Sequence, residues 1–200
     1  MQTILITGFE PYGGETINAS WEAARALDGW RSGDLVARAL MLPVAYDACV
    51  AEFADAVEHL KPDGVLLTGQ AARRAVVSVE RFAHSGASAT QADNRGVVRG
   101  RAAEEERIRL KATISAAKIA RAIRASGIPS RLSTNAGDYV CNHLYYGVLK
   151  HLGAVSPRTP AVFVHLPATP DQAPPRASWR RLATEDAVRA LQAAAASLIA

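Results

Sequence analysis

Three side chains in this sequence have the chemistry of nucleophilic catalysis: the thiol of Cys141, the imidazole of His165 and the carboxylate of Glu80. Cys141 follows Asn135-Ala136-Gly137-Asp138-Tyr139-Val140, which reads as a strand end, a glycine turn and the first turn of a helix. A helix start leaves backbone N–H groups unpaired and carries the positive end of the dipole. A thiol there is biased toward thiolate, the form that attacks carbonyl carbon. The plain alternative is a small apolar residue packed in the core. His165 closes the apolar run Ala161-Val162-Phe163-Val164-His165-Leu166-Pro167, a place for a general base or for a histidine satisfied by a backbone carbonyl. Glu80, within the apolar run 76–82, would hold an imidazole tautomer and stabilise the imidazolium, or else pair with Arg74 or Arg81. His143 is nearer to Cys141 in sequence, but two helical residues turn a side chain by about 200°, so it points away. A Cys–His–Glu set is chemically coherent; spacing alone does not bring its members together.

Those residues need a scaffold, and the chain alternates short apolar runs with helical patterns. The 200 residues, 49% of them hydrophobic, suit one domain over 1–200. Strands are expected at 4–7, Leu35–Leu42, 64–69, 76–82, 128–134 and 161–167. Helices are expected from an Asn18 or Ser20 cap to about Leu27, over Tyr46–Leu60, over 115–126 with Gly127 as a left-handed cap, and from Cys141 to about Leu152. A final helix is expected behind a Thr184 cap, with Glu185 and Asp186 in its first turn. Residues 85–107 lack periodicity and read as a long excursion, a lid, an oligomer contact or disorder. The alternation argues a largely parallel, mixed sheet covered on both faces, with working residues at strand carboxyl ends.

Composition excludes several functions. The net charge is +4. The densest basic stretch, Arg95 to Lys111, is interrupted by Glu104, Glu105 and Glu106 and contains no aromatic residue, so no nucleic-acid partner is expected. The two cysteines, Cys49 and Cys141, do not make a disulfide scaffold and suit a reducing cytoplasm; Cys49 beside Val50 and Phe53 reads as core. The amino terminus lacks a basic leader, and no apolar run would cross a membrane. Gly8 to Gly14 is neither a dinucleotide fingerprint nor a P-loop, and no cysteine pair or histidine spacing suits zinc, so no metal is expected.

Longer motifs carry a resemblance. The stretches are Thr7-Gly8-Phe9-Glu10-Pro11-Tyr12-Gly13-Gly14 with Asn18, Ser20 and Trp21, Leu42-Pro43-Val44, Gly69-Gln70-Ala71, Val79-Glu80-Arg81, Asp93-Asn94-Arg95-Gly96, Gly127-Ile128-Pro129, Asn135 to Leu144, and Val164-His165-Leu166-Pro167. Along nearly its whole length the chain resembles the pyroglutamyl peptidase I, or pyrrolidone-carboxylate peptidase, family of cysteine peptidases. The resemblance implies a three-layer α/β/α sandwich, no cofactor, cytoplasmic activity and commonly a homotetramer. It implies Cys141 as nucleophile, His165 as base and later acid, and Glu80 as orienting carboxylate. The implied reaction is removal of an amino-terminal pyroglutamyl residue from a peptide.

A pyroglutamyl ring carries no charged amine, so its site needs apolar walls and a few groups for the lactam N–H and C=O. By resemblance Phe9, Tyr12, Tyr139 and Val140 supply walls, and Gln70 lies near the ring or the nucleophile. Tyr12 stands where the family usually has phenylalanine. The larger departures are Ala72-Arg73-Arg74 for Gly-Gly-Arg and the stretch from Phe82 to Gln91, where Thr90 replaces an arginine implicated near the oxyanion and Gln91 an apolar pocket residue. A second reading is therefore a relative of the same fold that binds a lactam or small amide without efficient cleavage.

Overall fold

The apolar runs become strands, the central ones buried on both faces. In the computed structural model, which describes residues 1–86, 88–100, 108–172 and 180–199, the chain runs β1 (Gln2–Phe9), α1 (Ala19–Arg25), β2 (Arg31–Ser32), β3 (Leu35–Leu42), α2 (Tyr46–Leu60), β4 (Gly64–Gln70), β5 (Val77–Glu80), β6 (Phe82–His84), β7 (Arg109–Lys111), α3 (Ala116–Ala125), β8 (Ser130–Ser133), α4 (Val140–Val155), β9 (Ala161–Leu166) and α5 (Thr184–Ala196). The main sheet has the order β2-β3-β1-β4-β9-β5-β8. Strands β3, β1, β4 and β9 are mutually parallel. Strand β5 runs antiparallel to β9 and parallel to β8, and β2 is an antiparallel edge. Every residue of β4 and of β9 is buried, as expected of central strands with both faces covered. Helices α2 and α4 pack together, as do α1 and α3 against α5. The result is the mixed, mainly parallel α/β/α sandwich that the sequence implied.

Local differences from the sequence expectations have physical causes. The run 76–82 holds two strands: β5 ends at Glu80, and β6 leaves to pair with β7 in a separate two-stranded sheet. Alternation continues across the break, so periodicity cannot register the change of partner. The segment is fixed from outside the strand instead. Asn142, fully buried on α4, accepts from His84 N at 2.9 Å and donates to His84 O at 3.0 Å. Thr184 is the first residue of α5, behind Ala183, and makes no side-chain cap. Asn18 does cap α1, its side chain accepting from Ser20 N.

Part of the 85–107 excursion is tied down. Asp93 accepts from the backbone N–H groups of Tyr46, Arg95 and Val97, and Asn94 donates to Glu10 Oε1 and Pro11 O. These bonds seat the segment against the loop after β1. Residues 101–107 and the connection at 173–179 lie outside the described residues. No helix among the described residues is long and apolar enough to cross a membrane.

Candidate active site

The site grows from strand register. Because β9 is inserted between β4 and β5, His165 lies level with Gly69 on one side and Ser78 on the other, while Glu80 lies level with Phe163. Residues level across a sheet share a face, as do alternate residues along a strand. Gly69, Phe163, His165, Ser78 and Glu80 therefore all look toward one side. Helix α4 covers it: Tyr145 packs on Phe163 with ring centroids 5.6 Å apart and donates its hydroxyl to Glu80 O at 3.2 Å.

On that face His165 Nδ1 lies 2.8 Å from Glu80 Oε1, both side chains being almost wholly buried. An ionised carboxylate can only accept, so Nδ1 carries the proton and Nε2 keeps its lone pair. Arg74 Nη1 donates to the same Oε1 at 2.5 Å. The imidazole and arginine partners that the sequence offered Glu80 as alternatives are present together. Arg81 instead sits over the Phe82 ring. Among the described residues no hydrogen-bond partner within normal geometry reaches the buried Glu80 Oε2. Cys141 comes from the first turn of α4, after a turn in which Gly137 adopts φ 88°. Its sulfur reaches over Gly69, where an added Cβ would lie 2.9 Å from Sγ. Cys141 and His165 line the same cavity; among the described residues no hydrogen bond joins them. His143 is turned away, with Nε2 3.4 Å from Asp47 Oδ1 and its ring edge-on to Tyr46.

Burial sets the resting protonation of the group. It pushes the Cys141 thiol up to about 12, against the smaller lowering effects of the Arg74 charge and its own backbone N–H. The helix start and the Arg74 charge favour thiolate, and burial opposes them with the larger effect. Burial lowers His165 below its ordinary value, opposed by the Glu80 hydrogen bond and charge. Burial alone would raise Glu80; the His165 hydrogen bond and charge, Arg74 and the Ser133 hydroxyl outweigh it and hold the carboxyl below its ordinary value. An imidazole and a thiol lining one cavity are groups of the kind that general-base and nucleophilic chemistry use.

The cavity is about 220 Å³ and is lined by all five residues expected at the ring, Phe9, Tyr12, Gln70, Tyr139 and Val140, together with Asn18, Val44, Arg74 and Ala136. Gln70 Oε1 accepts from Ala19 N at 2.8 Å, which leaves its NH₂ as the free end of the amide. Tyr139 is held by its hydroxyl on Ala92 O and by ring contacts with Tyr12 and Tyr46. Neither Thr90 nor Gln91 is among the lining residues. The sequence offers Asn18 as a helix cap within the opening motif and Arg74 as an ion-pair partner of Glu80 within Ala72-Arg73-Arg74, and assigns neither to the pocket. The arginine's place three residues beyond Gly69-Gln70-Ala71 at the end of β4 was the available signal. A thiol, an imidazole, a carboxylate and the N–H groups of a helix start together make an arrangement capable of acyl transfer.

A model of the pyroglutamyl peptidase family matches residues 2–200. Among relatives, the pyrrolidone-carboxylate peptidase of Cupriavidus necator is 39% identical over 208 aligned positions, spanning 100% of this chain and 94% of that protein. Pyrrolidone-carboxylate peptidase 2 of Photorhabdus laumondii is 37% identical, spanning 96% of this chain and 89% of the other. Among solved structures, pyroglutamyl peptidase I from Bacillus amyloliquefaciens superposes with TM-score 0.92 at 30% identity, covering 99% of this chain and 95% of that one. Pyrrolidone carboxyl peptidase from Thermococcus litoralis gives 0.90 at 28% identity, covering 100% and 94%.

Proposed function

The chain belongs to the pyroglutamyl peptidase family, and from that premise we propose that it is a cysteine peptidase that removes an amino-terminal pyroglutamyl residue from peptides. The observation that carries the reading is the family match along the whole chain; nothing in the comparisons favours a relative that only binds lactams. The ring enters the cavity bounded by Phe9, Tyr12, Tyr139 and Val140, and the Gln70 amide serves its lactam. His165 Nε2 takes the thiol proton as Cys141 Sγ attacks the pyroglutamyl carbonyl carbon. The oxyanion accepts from the backbone N–H of Cys141, which has no intrahelical partner at the start of α4. Glu80 holds the imidazole tautomer and stabilises the imidazolium. The imidazolium gives its proton to the departing peptide amine as the C–N bond breaks, leaving a thioester. Neutral His165 then deprotonates a water that attacks the thioester, releasing pyroglutamate and restoring the thiol.

The same reading places the enzyme in the cytoplasm as a homo-oligomer, a tetramer by family resemblance, acting without a cofactor. Purified protein is expected to hydrolyse a fluorogenic pyroglutamyl amide, and Cys141→Ser to abolish release. The prolyl amide lacks the lactam carbonyl and should be cleaved at least about 10³-fold less efficiently, because pocket donors are left unpaired. Absence of any Cys141-dependent release would overturn the assignment.

A further inference from the structure

Arg74 holds together three parts of the site. It follows β4 in a turn closed by Arg74 N donating to Ala71 O at 2.8 Å. Its Nη1 shares Glu80 Oε1 with His165 Nδ1, at 2.5 Å and 2.8 Å. Its Nη2 donates to Asn135 O at 2.9 Å, in the loop that leads into Cys141. The side chain is mostly buried and lines the cavity with Cys141 and His165. A planar guanidinium can satisfy two acceptors in fixed directions, whereas an ammonium cannot reproduce that fork.

We propose that Arg74 is a positioning residue whose fixed positive charge on Glu80 keeps His165 in its neutral, proton-accepting form and so sets the lower pH limit of the reaction. The inference rests on the roles proposed above for Cys141, His165 and Glu80. A carboxylate shared with a permanent cation has less negative charge to offer an imidazolium, and the cation also repels that imidazolium directly. Other titratable groups surround the site: Tyr145 of α4 donates to Glu80 O, Tyr12 from the loop after β1 and Tyr139 at the start of α4 line the cavity, and Cys49 of α2 acts on Cys141. Burial raises all four above their ordinary values, so they stay neutral through the relevant range. Among the described residues that leaves Glu80 and Arg74 as the charges that decide the state of His165.

The test follows the acid limb of two rates in wild type, Arg74→Met, Arg74→Gln and Arg74→Lys: kcat/KM for the pyroglutamyl amide, and alkylation of Cys141 by iodoacetamide. Alkylation needs the same deprotonation but no turnover, so it reads the Arg74 effect even if the assigned substrate is wrong; Cys141→Ser supplies the blank. Removing the charge should move the midpoint of both limbs up by about one pH unit, while Arg74→Lys keeps the wild-type midpoint with a lower rate. The glutamine variant keeps a donor for the Asn135 carbonyl and serves if the methionine variant does not fold. Unchanged midpoints in the neutral variants, however far the rates fall, would overturn the proposal, as would an equal shift in Arg74→Lys.

Discussion

Gly69→Ala probes the position of the Cys141 sulfur without replacing any ionisable group. An added methyl would lie 2.9 Å from Cys141 Sγ and 2.8 Å from the tip of the Phe163 ring. Ordinary contact is about 3.5–4.0 Å, so sulfur and ring must each retreat by about 0.6–1.2 Å. The ring cannot move freely, since its centroid sits 4.7 Å from that of His165 and 5.6 Å from that of Tyr145. The thiol is the easier group to displace. Overpacking of this kind costs about 1–3 kcal/mol in stability, a loss of some 2–12 °C in Tm for a chain of this size. A displacement near 1 Å at the reacting atom costs about 10² in rate. Thermal melting and kcat/KM on the fluorogenic pyroglutamyl amide should therefore show a folded protein slowed about 100-fold. A Gly69→Ala enzyme within threefold of wild type would refute the idea that the bare backbone at this position is what seats the sulfur.

Two further outcomes follow from buried polar groups. Asn142→Ala leaves the N–H and C=O of His84 without their α4 partner, so denaturant titration should show a loss of about 2–5 kcal/mol; less than 1 kcal/mol would mean that water or another side chain replaces it. The Glu80 carboxyl is held below its ordinary value of 4.5 in the folded state, so its ionised form stabilises the fold above that pH and the contribution is lost as pH falls through the folded value. The stability gap between wild type and Glu80→Gln should narrow on acidification below 4.5, and a gap independent of pH would contradict the assignment. His165, lowered from 6.5, adds an earlier decline as pH drops below that value, because the unfolded chain takes up the proton first.

Much of the scaffold was legible because strongly buried elements write themselves into composition. The whole span of α2 and the run Ala161–Leu166 stand out as patterns of apolar residues. The two-residue β2 and the three-residue β7, both largely exposed, carry no such pattern; their pairing comes from neighbours distant in sequence. The site was legible as chemistry but not as geometry. Nothing local to Glu80 or His165 tells that β9 lies beside β5, and that adjacency alone brings side chains 85 positions apart to 2.8 Å. The surroundings of Cys141 were legible only in part: a helix start can be read from seven residues, whereas the burial that raises the thiol is assembled from several elements. Arg74 was visible as a charge near the end of β4, but its grip on the Asn135 carbonyl exists only after the chain has folded.

The placement of β9 also governs how the protein comes into being. Among the described residues it is the last strand, yet it sits inside the sheet, between β4 and β5. During synthesis β4 and β5 must therefore wait with unpaired edges while the intervening residues are made, a period in which the nascent chain is open to wrong pairing. The same delay is protective: until that strand is inserted, the thiol has neither its base nor its pocket, and the growing polypeptide carries no working peptidase.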